Sequence, residues 1–194
     1  MAMTKDGTTS QKASRANAIG AWRGWATRHR VQAALLAGLV AVHIATIIGF
    51  WLGDVKLARM DWPTANGLVY VPHAGPLALF VIGGVFHYLD GVFFALVYAI
   101  ALAPYLPLRS TAAGNLAKGL LFGTVLAIIA LLIMTPLVYA PARGSEAGFF
   151  SSNFGWQYIV SVFIFHWVYG LHLGLVYSPY DDVDPADGPV QSIE

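Results

Sequence analysis

Residues 75–103 read GPLALFVIGGVFHYLDGVFFALVYAIALA, an apolar run interrupted near its centre by His87 and Asp90. The run exceeds the ~20 residues that a helix needs to cross the hydrocarbon core of a bilayer, so it reads as a membrane span carrying ionisable groups at mid-depth. Three further stretches, 31–53, 116–140 and 156–178, have the same apolar character and are separated by short segments. The expected fold is an all-α integral membrane protein with four transmembrane helices.

Composition agrees with that reading. Of the 194 residues 57% are hydrophobic and only 11% charged, and the mean hydropathy of +0.63 excludes most soluble classes. A net charge of +1 supplies no field to attract nucleic acid. The chain has no Cys, which excludes disulfides, thiolate-held iron–sulfur clusters and a Cys nucleophile. The first span begins about 30 residues in and is too long for a secretory leader, so it is expected to be retained. Three regions follow: a basic arm over 1–30, a transmembrane domain over 31–178, and an acidic, Pro-bearing tail over 179–194.

The basic residues are unevenly placed. Lys5, Lys12, Arg15, Arg23, Arg28 and Arg30 precede the first span, and Arg109 and Lys118 fall between the second and third. The opposite loops are balanced, with Asp54 and Asp61 against Lys56 and Arg59, then Arg143 against Glu146. The positive-inside rule therefore predicts a cell (inner) membrane protein with both termini in the cytoplasm. Trp51, Trp62, Tyr70, Tyr139 and Trp156 are expected as interfacial anchors at the outer ends, and Trp22, Trp25 and Tyr180 at the inner ones.

The second and fourth spans share a pattern. Phe86-His87-Tyr88-Leu89-Asp90-Gly91, continuing to Leu96-Val97-Tyr98, aligns without a gap on Phe165-His166-Trp167-Val168-Tyr169-Gly170, continuing to Leu175-Val176-Tyr177, with six of thirteen positions identical. A fainter echo relates Leu35-Leu36-Ala37-Gly38 to Leu120-Leu121-Phe122-Gly123. Two hairpins entering the membrane in the same sense predict parallel repeats about a pseudo-twofold axis along the membrane normal. Offsets of four and eleven residues return to within about 40° and 20° on a helix, so His, Gly and Tyr share one face. That face is expected to pair helices two and four through Gly91 and Gly170, with Tyr169 placed to donate to Asp90.

His43, His87 and His166 lie at one level, about 15 Å from the outer span ends at ~1.5 Å per residue. Such a level of imidazoles suits a b-type haem between helices two and four. His87 and His166 would be the axial ligands, Gly91 and Gly170 would admit the macrocycle, and Phe86 and Phe165 (with Phe94) would wall it. The layout resembles the four-helix membrane b-type cytochromes in architecture alone, because those often carry several His on each helix and the second set is missing here. A non-haem metal held by His43, His87, His166 and Asp90 is the alternative, although no paired ligand motif occurs within a helix. The same histidines could equally bridge helices in an accessory subunit of a larger complex or a homo-oligomer, or Asp90 could serve a proton-coupled carrier. His172 points away from the shared face, and His73 and His29 have no evident partner. The functional expectation is a small membrane protein of a redox or respiratory assembly.

Overall fold

A computed structural model describes residues 6–179, all helices and connecting loops. The tail's acidic residues and Tyr180 lie outside the described residues, as does Lys5. The helices are α1 (Asp6–Arg28), α2 (Arg30–Trp51), α3 (Trp62–Tyr70), α4 (Pro76–Leu96), α5 (Ala112–Ile129) and α6 (Gly155–Val176). A π-helical segment, Val97–Leu102, prolongs α4, and another, Ala130–Tyr139, prolongs α5. With their extensions, α2, α4, α5 and α6 are long and apolar enough to span a membrane, at Arg30–Val55, Pro76–Leu102, Ala112–Ala142 and Phe149–Val176. The chain is thus a multi-pass helical membrane protein, with span limits one to seven residues from those read from hydropathy, the largest difference being the start of the fourth span.

Small residues decide which helices meet. Lipid tails are as apolar as leucine, so membrane helices associate where their backbones can approach closely. On α2 one face carries Ala33, Ala34, Ala37, Gly38, Ala41, Ala45 and Gly49, all buried, while Val31, Leu35, Leu36, Leu39 and Ile47 point outward. That face seats α2 at the centre of the bundle, against both α4 and α6. A Cβ on Gly38 would fall 2.7 Å from Ala95 Cβ, and one on Gly91 would fall 2.6 Å from Val42 Cβ.

The tightest seam joins α5 to α6. A Cβ added at Gly119 would overlap the Gly170 carbonyl, one at Gly123 the His166 carbonyl, and one at Gly174 the Asn115 carbonyl. Gly91 and Gly170 therefore do not meet each other, contrary to the expectation from the repeat. Each packs on its own hairpin partner, because the small residues opposite them lie on α2 and α5. Side chains bridge the gap between α4 and α6 instead: Tyr169 donates to the Gly91 carbonyl at 2.5 Å and Tyr177 to the Ala99 carbonyl at 3.3 Å.

The four spans follow the spatial order α4, α2, α6, α5, and the two ends of this arc, α4 and α5, share no packed interface. At one end of the bundle the gap between them narrows where Tyr98 meets Phe122, with ring centroids 5.2 Å apart. At the other end α3 closes it. Asp61 caps α3 by accepting from Thr64 N–H at 3.1 Å, and Pro63 occupies the first turn, where a missing N–H costs nothing. Gly67 and Gly83 let α3 lie directly on α4, since a Cβ on either would overlap the facing backbone.

The α5 extension contains Pro136. A π-helix pairs each N–H with the carbonyl five residues earlier, so Pro136, having no N–H, leaves Leu131 O without its intrahelical donor. Fully buried Ser151 supplies the substitute, its Oγ donating to Leu131 O at 2.8 Å. Ser151 reaches it from the left-handed region, at φ 59, beside Phe150 at φ 51.

Candidate functional site

The gap between α4 and α5 encloses a cavity of about 240 Å³. Val42 of α2 forms its back, and α6 supplies Phe165, His166 and Tyr169. From α4 come His87, Asp90, Gly91, Phe93 and Phe94, from α5 and its extension Leu126, Ile129, Ala130, Met134, Val138 and Tyr139, and from α3 Trp62, Asn66, Val69 and Tyr70. Four of these, Phe93, Ile129, Met134 and Tyr70, are exposed on the outside of the bundle. The mouth is thus rimmed mainly by large apolar groups and faces sideways, toward lipid.

Both mid-depth imidazoles in the wall have one nitrogen committed. Thr46 Oγ1 donates to the Val42 carbonyl at 2.6 Å, so toward His87 Nε2, 2.9 Å away, it accepts. His87 consequently carries its proton on Nε2, and Nδ1 keeps a lone pair with no partner among the described residues. His166 donates from Nδ1 to the Val162 carbonyl at 2.7 Å, which leaves Nε2 as the lone pair. In each case the neighbouring acceptor selects the tautomer and fixes the ring, as a second-shell partner does for a ligating histidine.

The wall also holds unmatched donors and a carboxylate. Trp62 Nε1 and Asn66 Nδ2 are buried without a hydrogen-bond partner, and an orphaned buried donor costs on the order of 1–3 kcal/mol. Asn66 Oδ1 is satisfied, accepting from Tyr139 OH at 2.8 Å. Half-buried Asp90 has neither a hydrogen bond nor an ion pair among the described residues. The expected donor to it, Tyr169, goes to the Gly91 carbonyl instead. The site therefore combines donors, imidazole lone pairs and one carboxylate within an apolar shell.

Of the residues singled out from sequence, His87, His166, Gly91, Phe165 and Asp90 come together at this cavity. Gly170 is buried in the α5 seam, and Phe86 stacks on Tyr70 with ring centroids 3.9 Å apart; neither lines the cavity. His43 also lies outside it, exposed and hydrogen-bonded through Nδ1 to Tyr88 OH at 2.6 Å. Among the described residues no three of His, Cys, Asp and Glu gather closely enough to hold a metal ion, so the mixed imidazole and carboxylate shell is not assembled. His172 turns back on its own helix, donating to the Val168 carbonyl at 2.7 Å.

Sequence reasoning missed α3 as a wall of the site. Trp62 is only 7% exposed, and with Tyr139 it faces inward rather than anchoring at the membrane surface. The signal was present in Asp61-Trp62-Pro63-Thr64, a cap followed by an early Pro that starts a helix inside a supposed loop. Trp51 and Trp156, at 63% and 64% exposure, face outward.

Fold and site together define a four-span helical membrane protein with a largely apolar cavity between α4 and α5 that carries a few polar groups. Comparison with protein-family models, with curated proteins and with solved structures finds no match to this chain.

Proposed function

We propose that this protein binds a small lipid-soluble molecule with oxygen functions on a ring, of the quinone and quinol class, in the cavity between α4 and α5. One observation carries the reading: two imidazoles with fixed tautomers, each with a ring nitrogen unpartnered among the described residues, line one largely apolar cavity together with Trp62 and Asn66, whose buried donors are orphaned. A carbonyl oxygen accepts from such donors, a hydroxyl donates to such lone pairs, and a ring fits a volume of about 240 Å³. The mouth at Phe93, Ile129 and Met134 lets an apolar tail remain in lipid. Asp90 gives the site a group that can exchange a proton, in keeping with a place in a redox or respiratory assembly.

The test is a titration of the detergent-solubilised protein with a short-chain benzoquinone, read by tryptophan fluorescence. Quenching should saturate in the parent. It should weaken at least tenfold in His166→Leu and in Ala130→Leu, which fills the cavity, while His172→Leu behaves as the parent. Linear, unsaturable quenching in the parent would remove the proposal.

A b-type haem held by His87 and His166 is the second reading, favoured by the fixed second nitrogen of each ring. The lining weighs against it: haem b brings two propionates, and the cavity offers Asp90 but no Lys or Arg. Its volume is also below the ~300–1,000 Å³ usual for larger ligands. A reduced-minus-oxidised absorption spectrum of the purified protein distinguishes the two.

The fold reads as a duplicated hairpin, with α2 and α4 equivalent to α5 and α6. Supporting this, both tyrosine bridges between α4 and α6 span 78 residues, close to the 79-residue offset of the sequence repeat. Gly38 facing Gly91 and Ala95 has its counterpart in Gly119 facing Gly170 and Gly174, one turn from the Gly123 that the sequence echo aligns with Gly38. Eight of the eleven basic residues support a cell-membrane orientation with both termini in the cytoplasm.

A further inference from the structure

His43 and Tyr88 form a polar pair on the outside of the bundle, one from α2 and one from α4, with His43 Nδ1 2.6 Å from Tyr88 OH. His43 is exposed and Tyr88 half-buried. The pair sits at mid-depth: His43 is the fourteenth residue of the 26-residue span Arg30–Val55, and Tyr88 the thirteenth of the 27-residue span Pro76–Leu102. Tyr88 also lines a shallow apolar groove, together with Leu39 of α2 and Val85, Leu89 and Val92 of α4. Positions 85, 88, 89 and 92 recur at helical spacing, so they form one continuous face.

A neutral imidazole carries one N–H and a tyrosine one O–H, so the pair holds two protons and uses one of them in its own hydrogen bond. If Tyr88 donates, His43 Nε2–H and a Tyr88 oxygen lone pair remain. If His43 donates from Nδ1, Tyr88 O–H and the Nε2 lone pair remain. Either tautomer leaves one donor and one acceptor, with no partner among the described residues. Hydrocarbon supplies neither, which is why polar groups within spans face protein or water. Trp167 and Thr124, a polar pair on the outside of α6 and α5, show how such a pair closes on itself. Trp167 Nε1 donates to Thr124 Oγ1, and Thr124 Oγ1 to the Leu120 carbonyl, each at 2.9 Å, so every side-chain donor there is used.

A surface that offers one donor and one acceptor is its own complement. Copies of one chain insert in the same sense, so a twofold axis along the membrane normal brings two such pairs together at one depth, each donor facing the other copy's acceptor. We propose that this face of α2 and α4 is the interface of a homodimer, in which His43 and Tyr88 of both copies close a ring of hydrogen bonds surrounded by the groove's apolar side chains. The face shares no lining residue with the cavity between α4 and α5, whose mouth stays open to lipid in the dimer.

The chain has no Cys, so single introduced cysteines report contacts between copies of the full protein in liposomes. Leu39→Cys, Val85→Cys and Leu89→Cys, treated with a short bis-maleimide, should give covalent dimers at one or more of the three positions. Val125→Cys on α5 and Leu175→Cys on α6, equally exposed but outside the groove, should not. Energy transfer between labelled copies over a series of lipid dilutions gives the dissociation constant. Tyr88→Phe and His43→Leu should each raise it at least about fivefold, since in a symmetric dimer either change removes both intermolecular bonds. Thr124→Val should leave it unchanged. Should either groove variant fail to fold, the single-Cys chains, which keep both residues, still decide the interface. The proposal is overturned if the parent stays monomeric at the highest protein-to-lipid ratio, if Val125→Cys or Leu175→Cys cross-links as readily as the groove positions, or if Tyr88→Phe and His43→Leu dissociate as the parent does.

Discussion

Replacing Ser151 by Ala removes a single hydroxyl and leaves the Leu131 carbonyl, already deprived of a donor by Pro136, buried with nothing to accept from. The bond is short at 2.8 Å and the side chain fully buried, so no solvent takes its place. A buried acceptor left unmade costs about 1–3 kcal/mol, whereas side-chain hydrogen bonds in membrane proteins average only about 0.6, because the unfolded chain also finds partners. Here the acceptor is an orphan backbone group rather than one side of an exchangeable pair, which places the expected loss at about 1–2 kcal/mol. Ala keeps the Cβ and hence the left-handed strain at φ 59, so the loss reports the hydroxyl alone. Pro136→Ala restores an N–H to the helix, and in that background Ser151→Ala should cost less than about 0.5 kcal/mol. Unfolding in mixed detergent and sodium dodecyl sulfate micelles, followed by circular dichroism, measures all four members of the cycle. Equal cost of Ser151→Ala in both backgrounds would refute the proposed link between the proline and the serine.

Other consequences follow from the packing and the topology. Gly119→Ala and Gly170→Ala should each destabilise by about 1–3 kcal/mol, because the new methyl meets backbone that cannot yield, and the double variant should cost less than their sum. Gly84→Ala is the contrast: its Cβ would meet Pro63 Cβ at an ordinary 3.8 Å, so the same unfolding assay should show no loss, or a gain of up to about 1 kcal/mol. Thr46→Val deprives His87 Nε2 of its acceptor and should cost about 1 kcal/mol in that assay, with Thr46→Ser restoring it. Four spans place both ends of the chain on one side, so reporter fusions at Ser14 and after Glu194 should give the same signal, and opposite signals would remove one span.

Hydropathy was sufficient for the spans, since nothing but length and apolar content is needed to read Arg30–Val55 or Pro76–Leu102 as a crossing helix. The mid-depth site was partly legible for a related reason: His87, His166 and Asp90 are costly in lipid and stand out against their surroundings. Which helices touch was harder to read. The motif around Gly91 and Gly170 was visible, but a small residue reveals only that something approaches closely, and its partner depends on the facing helix. The Ala and Gly stripe of α2 and the glycines of α5 take those places, so α4 and α6 meet through tyrosines rather than through Gly91 and Gly170. Trp62 and Asn66 were missed because a nine-residue helix between spans carries little hydropathy signal, and an aromatic near a span end looks the same whether it faces the surface or folds inward.

Nitrogen NMR of the protein labelled with ¹⁵N-histidine, recorded with and without a short-chain benzoquinone, addresses the cavity most directly. Six histidines are present, and two of them, His87 and His166, line the cavity and each keep one ring nitrogen without a partner among the described residues. Saturating shifts confined to His87 and His166, with His43 and His172 unmoved, are the predicted result. Shifts at His43 or His172 alone, or at none of the six while the quinone is demonstrably in the micelle, would contradict binding in the cavity between α4 and α5.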